Sequence, residues 1–583
     1  MRRPLPISLR PLLLAAAIAA ALTLPRPAAF ALCPDTVVVV NKRSSDSRAL
    51  GRYYAQKRGI PERNVCTISV DPKSPHITQQ DFESSVRDVI DAFLSNEGLR
   101  DHVRFLVLSM DIPTRVAGDN SITGALFYGV KPRTPGVKGC EIAAGSSQPY
   151  YRLERRYLPM TWPGQPEPRP LPFMLAVPTL AAGKTLVDRS VAADASFPAG
   201  AFCLFGSGDT ARNVRHVRYP AIRQTFDGIA SLLPPGTTVL VAPSNAPVPE
   251  VPVLACAMGL AYIPSAFSAG ATLAPGAIAE HLTSCGGMLP DPCFGQSTVR
   301  DWFALGAAAS YGTVAEPCAY PAKFPDPLYQ FWYARGFTAG ESLWMSVKNP
   351  YQGLFAGDPL CTPFARGPRI ELLDPAPAAG RLPLAPGRPL KLRLSAAAPG
   401  DPPPVWLDLY VDGRHHAPVA RPIAPVLNRL SATIGDTNTF AYTVAPGESL
   451  VEAVAGLAWA VNRHGSGRFK ATASGDRLEV SATAPRDAGG APLAFSAATR
   501  KGAAEALYIG VSPGRTDLAV GEDGIGRAAA LFHLGTVPSY EIEYTPSFSA
   551  AIPPGDHVLS FVARDGSARQ ASASLDIPVR LVK

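Results

Sequence analysis

Thr36 to Val40 is an unbroken, mostly β-branched apolar run, the mark of a strand covered on both faces. Ser44-Ser45-Asp46 supplies helix-capping residues, and Ala49, Leu50, Tyr53 and Tyr54 lie on one face of the helix they start. Gly59-Ile60-Pro61 ends that helix, and Val65 to Val70 reads as a second strand. Phe82, Val86, Val89 and Phe93 recur at steps of four, three and four, which predicts an amphipathic helix. Val103 to Leu108 is a third buried strand. Strand and helix alternate, the order that builds a mostly parallel, doubly wound sheet with helical crossovers. The expected class of the main domain is α/β.

From about 111 to 175 the chain is dense in Pro, Gly and Arg and has little periodicity, so loop insertions on the scaffold are expected there. The scaffold resumes with strands at Ala201 to Phe205 and Thr237 to Ala242, a helix over 219–233 between them, and a further strand within Val251 to Leu260. The apolar runs near 36–40, 103–108 and 237–242 are expected to lie side by side as interior strands. Helical stretches are predicted near 275–283, 298–309 and 326–347, with a short apolar segment from Ala308 to Val314. The unit closes at Gly357-Asp358-Pro359-Leu360, so it spans 32–365.

Beyond Pro363 the grammar changes. Leu390, Leu392 and Leu394 point one way and Lys391 and Arg393 the other; Val405, Leu407, Leu409 and Val411 alternate with Trp406, Asp408 and Tyr410 before a turn at Asp412-Gly413. The pattern returns near 542–544, 557–563 and 571–579. Residues 366–425 and 536–583 therefore predict the two halves of an Ig-like β-sandwich. The intervening 426–535 carries its own order: a strand at 439–444, a helix with Leu450, Val454, Leu457 and Val461 on one face, then strands at 468–473 and 477–483. That reads as a nested α+β insertion.

At the N-terminus Arg2, Arg3 and Arg10 precede the apolar run Leu12 to Leu24 and the small-residue stretch Ala28-Ala29-Phe30-Ala31. This is the pattern of a secretory signal peptide over 1–31, with cleavage after Ala31. Leu32-Cys33 raises a lipoprotein reading, but bulky Leu32 stands where a small residue is expected. The pattern predicts a periplasmic, outer-surface or secreted protein with no transmembrane segment in the mature chain. Removing the arginines at 2, 3, 10 and 26 lowers the formal charge from +8 to +4, and no lysine/arginine block follows, which argues against nucleic acid as partner. An unidentified protein or polysaccharide partner is expected instead. The nine cysteines (33, 66, 140, 203, 256, 285, 293, 318 and 361) include no C-x-x-C pair and no zinc-type spacing, so disulfides are expected and metal ligation is not.

The chemical motifs are thin. Gly183-Lys184-Thr185 ends like a phosphate loop, but Pro178 stands where its first glycine is required. Gly206-Ser207-Gly208 lacks the third glycine of a dinucleotide fingerprint, and no cofactor is expected. Ser284 lacks the leading glycine of a nucleophile elbow. His281 and Cys285, four apart, would share a helix face and let an imidazole hold a thiolate; equally, Gly286 suits a left-handed helix cap and Cys285 a disulfide. Glu316 reads as a loop anchor. Trp406 and Tyr410 offer the sandwich an aromatic pair for carbohydrate.

Two stretches carry a resemblance. Val37 to Asn41 through Arg58-Gly59-Ile60-Pro61, with Phe105 to Pro113, and then Gly276 to Gly287, Gly312 to Pro317 and Gly357 to Leu360, resemble an uncharacterised family of exported bacterial proteins over about residues 35–365. The resemblance implies no established activity. Gly357-Asp358-Pro359, preceded by Gly340-Glu341-Ser342, is also distantly similar to gingipain-type peptidases of the caspase-like fold. Those enzymes carry a His-Gly after one strand and an Ala-Cys after the next. Here Ala255-Cys256 follows an apolar run with no His-Gly ahead of it, and Met258-Gly259 occupies a place where such a histidine would stand. Two expectations follow: a non-catalytic binding or structural protein on a caspase-like scaffold, or a cysteine-dependent hydrolase using Cys285 with His281, or Cys256.

Overall fold

A computed structural model of the chain describes residues 32–582 apart from 133–139, 143–144, 244–249, 266, 268–271, 377–379, 421–427, 436–437, 485–492, 500–506, 513–518, 521–524, 536–538 and 549–551. The expected signal peptide lies outside the described residues, as do the junctions expected near 426 and 536.

A ten-stranded sheet organises the first part of the chain. Its strands are β1 (Thr36–Asn41), β2 (Val65–Ile68), β3 (Phe105–Leu108), β4 (Leu171–Met174), β5 (Ala201–Gly206), β6 (Thr238–Pro243), β7 (Val253–Gly259), β8 (Leu273–Leu282), β9 (Ala309–Thr313) and β10 (Gly353–Gly357). Their spatial order is β6-β5-β7-β8-β9-β10-β4-β3-β1-β2. Neighbours from β6 to β9 and from β4 to β2 run parallel, β9 and β10 are antiparallel, and β10 meets β4 at the single pair Ala356–Met174. The mostly parallel α/β class holds.

The helices that bear on the site are α1 (Ser45–Lys57), α2 (Asp88–Asn96), α3 (Leu180–Ala193), α4 (Val299–Leu305), α5 (Tyr329–Ala334) and α6 (Ala339–Ser346). Ser44 caps α1, its hydroxyl accepting from the Ser47 amide. A π-helical turn over Glu83–Arg87 precedes α2. Its extra residue rotates the following face, so Ile90 and Leu94 are buried below Phe82 and Val86, where the sequence pattern pointed to Val89 and Phe93.

Three other expectations need correction. The stretch 275–283 falls in the central strand β8, not a helix; every residue from Gly276 to Leu282 is buried, so alternation is absent and its alanines mimic a helix. The run at 237–242 belongs to the sheet, but β6 is an edge strand far from β1 and β3 and only half-buried. The segment 111–175 is not all loop, since Leu171–Met174 is a fully buried strand of the sheet.

Two of the motifs that carried the resemblance, Gly357-Asp358-Pro359 and Gly340-Glu341-Ser342, sit in buried ion-pair knots. Asp358 accepts from Tyr54 Oη at 2.7 Å and from Arg58 Nε at 2.9 Å, tying α1 to the end of β10. Glu341 closes a capping box with Thr338 at the start of α6 and accepts from Arg104 Nη1 at 2.8 Å and the Tyr157 amide at 3.0 Å.

A β-rich region follows. A three-stranded and a five-stranded sheet, built from 369–420 and 539–581, share one apolar cluster that includes Leu392, Leu407, Leu409, Phe561 and Val579. Residues 428–534 form two further sheets around α7 (Leu450–His464), with Leu457, Val461 and Leu478 in a separate cluster. Tyr410 is buried and Trp406 packs against this second cluster, so the pair offers no open carbohydrate platform.

Candidate functional site at the strand ends

In parallel α/β sheets ligands gather beyond the carboxyl ends of the strands. Here β7, β8 and β9 deliver three loops to one edge, and Arg300 of α4 donates through Nε to the Ala176 carbonyl past β4, joining the two parts of the sheet there.

His281, near the end of β8, is buried. Its Nδ1 accepts from Trp302 Nε1 at 2.9 Å and its Nε2–H donates to the Ser297 carbonyl at 3.0 Å. Both ring nitrogens are thus engaged in the neutral form, and burial pushes the imidazole down to about 4. Its neighbour Glu280 accepts from Arg215 Nη1 at 2.7 Å, and Arg215 also donates to the Met258 and Pro325 carbonyls. Burial nevertheless pushes Glu280 up to about 7 against the pull of Arg215.

Cys285 is bonded to Cys293, with Cα atoms 5.7 Å apart. Gln296 Oε1 fixes the loop by accepting from the Cys285 amide at 3.2 Å and Thr283 Oγ1 at 2.7 Å. The expected His281–Cys285 pair on a helix face is therefore absent: β8 ends at Leu282, the histidine turns into the core and the sulfur is bonded elsewhere. Gly286 is likewise no left-handed cap. Cys256 lies within β7, fully buried beside Cys203 of β5, and burial raises its thiol well above the ordinary value. At Gly259 a Cβ would meet the Arg212 carbonyl oxygen at 2.2 Å, so the position following Met258 has no room for a side chain.

What this edge exposes is aromatic. Phe294, next to the disulfide, is 85 % exposed with φ 55°, an uncommon backbone for a bulky residue. Tyr262, after β7, is 56 % exposed and donates from Oη to the Phe294 carbonyl at 3.0 Å. Beyond β9 a second disulfide, Cys140–Cys318, clamps a loop in which Cys318 and Ala319 also have positive φ and Tyr320 is exposed. Glu316 accepts from the Cys318 amide at 2.8 Å, the anchoring role its position suggested. Lys323 beneath is buried, donates to Gln352 Oε1 at 2.6 Å, and is pushed down to about 7 by burial. The sequence offered no periodic signal for Phe294 or Tyr262, because an exposed loop aromatic belongs to no repeat.

Cys33 was the alternative lipidation point. Its amide donates to the Gly59 carbonyl at 2.9 Å and its sulfur faces Asp35 Oδ1 at 3.3 Å, so the side chain points inward.

A large mostly parallel sheet with strand-end loops, followed by antiparallel sheets, defines an α/β protein with a β-rich C-terminal region. The chain is weakly similar to dimeric latent PorU from Porphyromonas gingivalis, at 10 % identity and a TM-score of 0.21 over 94 % of this chain and 54 % of that one. It thus spans about half the length of PorU. Fibronectin(III)-like modules of CbhA from Clostridium thermocellum align over 36 % of this chain and 95 % of theirs, at 13 % identity and a TM-score of 0.07. No family model matches the sequence, and neither does any curated protein.

Proposed function

We propose that this is an exported, non-catalytic protein on a caspase-like scaffold, with an Ig-like sandwich and a nested α+β module, that engages a protein or polysaccharide partner through its strand-end loops. The observation that carries the reading is the state of the two chemical groups at the edge: Cys285 is spent in a disulfide and both nitrogens of His281 are engaged. A thiol needs a base, or a depressed pKa, to act as nucleophile, and Cys256 has its pKa raised. Two disulfide-clamped loops present Phe294 and Tyr320, and Tyr262 of the loop after β7 is tied to the Phe294 carbonyl; preorganised aromatic side chains suit recognition. Export is supported by the N-terminal pattern and the two disulfides. No helix among the described residues is long and apolar enough to cross a membrane.

Fluorogenic peptide libraries incubated with the purified chain, with and without reductant, test this directly. No cleavage is expected in either condition. A thiol label should reach Cys285 only after reduction, and Cys256 only after unfolding. The second reading, a gingipain-related cysteine hydrolase, draws on the position of Cys285 just beyond a central parallel strand. Cleavage that appears on reduction and vanishes in Cys285→Ala would establish it and overturn the first.

A further inference from the structure

A second concavity lies at the opposite end of the sheet, between the α/β unit and the last strands of the β-rich region. Asp358 places it there: its amide donates to the carbonyl of Ala308, the residue before β9. The cavity encloses about 310 Å³, within the size range of small-ligand sites.

Its charged lining is unequal. Lys57, Arg58, Arg104, Arg156 and Arg569 face it, against Asp194 and Glu341. Each of these cations also has a carboxylate partner: Asp188 pairs with Lys57 at 2.7 Å and Asp565 with Arg569 at 3.8 Å, and Asp194 and Asp358 pair with Arg58. Asp35 holds Arg104 and Arg156 in place, and Glu341 holds Arg104. Asp35 Oδ2 accepts from both Arg104 Nε at 2.7 Å and Arg156 Nη2 at 2.6 Å, while Asp358 fixes Arg58. Arg156 also donates to the Gln570 carbonyl at 3.1 Å, and Arg569 to the Arg335 carbonyl at 3.0 Å. The Nε of Arg569 is buried without a hydrogen-bond partner. Burial and the neighbouring Arg104 charge push the Arg156 guanidinium down to about 10 against the pull of Asp35, whereas Asp194 and Asp358 hold Arg58, and Asp35 and Glu341 hold Arg104, above their ordinary values despite burial. Thr338, Thr362 and Ser572 also line it, together with apolar residues that include Leu32, Val191 and Leu360.

We propose that this cavity binds a small organic anion, a carboxylate- or phosphate-bearing molecule held by Arg58, Arg104, Arg156 and Arg569. Arginine forks anchored from behind match an oxyanion without having to reorganise, which is what makes guanidinium groups effective in such sites. The site is independent of the strand-end loops, so it stands whether or not they bind a partner.

Calorimetric titration of the full chain with citrate, glucose 6-phosphate, inorganic phosphate and glucose, at matched ionic strength, tests it. Citrate or glucose 6-phosphate should bind and glucose should not; the first alone assigns a carboxylate ligand, the second alone a phosphate ester. Ser572→Trp, at the exposed rim, leaves every arginine in place and should weaken binding at least tenfold without moving the melting temperature of the free protein. Arg156→Gln should abolish binding, and Lys57→Gln, on a partly exposed side chain, serves as the variant least able to disturb folding and should weaken it several-fold. Binding of none of the anions, equal binding of glucose, inorganic phosphate as the sole ligand, or undiminished binding in Ser572→Trp would each overturn the proposal.

Discussion

Burial acts with opposite sign on two adjacent side chains of β8. His281 is held neutral down to about 4, whereas its unfolded counterpart takes a proton near 6.5. The unfolded state binds more protons in that window, so this residue's contribution is present above 6.5 and is lost as pH falls through about 4. The full gap is worth on the order of 3 kcal/mol. Glu280 keeps its proton up to about 7 when folded and loses it near 4.5 when unfolded. Its contribution is present below 4.5 and is lost as pH rises through about 7. Between 4.5 and 6.5 the two slopes oppose each other and the wild-type melting temperature should change little on their account. In His281→Gln the Glu280 slope stands alone and the melting temperature should fall from pH 4.5 to 7. In Glu280→Gln it should rise over the same range. Two profiles parallel to the wild type, measured by circular dichroism, would refute both assignments.

The strand that carries these residues is also where the sequence pattern misled. Between Val253–Leu273 and Ala255–Ile278 the register of β7 against β8 slips, and Pro275-Gly276 forms the bulge that takes up the difference. Gly276 has φ 83°, and a Cβ there would meet Pro363 Cγ at 2.5 Å and Ala193 Cβ at 2.9 Å. Gly276→Ala should therefore cost about 2–4 kcal/mol in urea unfolding. Gly98→Ala, at φ 64° with open space around it, should cost only about 1 kcal/mol. Equal costs would mean that the bulge is not packed as described. The same strand shows what was legible. β1 and β3 were readable because continuous Val and Leu runs have one favourable fate, and the Ser44 cap and Gly59 stop bracketed α1. β8 was not, since Pro275-Gly276 followed by alanines resembles a helix start. Of the site, the disulfide alternative for Cys285 was legible from composition and the expected export. The fate of His281 was not, because it depends on Trp302 and Ser297, brought to it only by the packing of α4 and the loop before it.

At the scale of the whole molecule, one buried carboxylate joins parts of the chain that are remote in sequence. Glu154, itself at φ 48°, accepts from Arg335 after α5 at 2.8 Å and from Arg477 of the 428–534 module at 2.5 Å, while Arg335 also pairs with Asp476. Burial works against the charge, but Arg477 and then Arg335 overcome it and hold the carboxyl below its ordinary value. The approach is close: a Cβ on Gly475 would collide with the Glu154 carbonyl oxygen. The module's apolar core is largely its own, although Leu531 and Val451 reach the core of the α/β unit and Val405 and Trp406 of the sandwich join the module's cluster. Its coupling to that unit therefore leans on the Glu154 knot. Removing one member of a buried pair leaves uncompensated charge and costs about 3–5 kcal/mol. Glu154→Gln takes the shared carboxylate from Arg335 and Arg477, leaving Arg335 only Asp476 and Arg477 only Glu479, so the loss should fall on the contact between the two units more than on either core. Differential scanning calorimetry should then show an early transition for the 428–534 module, separated from that of the α/β unit. The separation should begin to widen in the wild type as pH falls below about 4.5, the ordinary glutamate value, and be complete only once pH passes the lower value at which folded Glu154 takes up its proton. A variant whose thermogram superimposes on that of the wild type would show that apolar contact alone couples the two units.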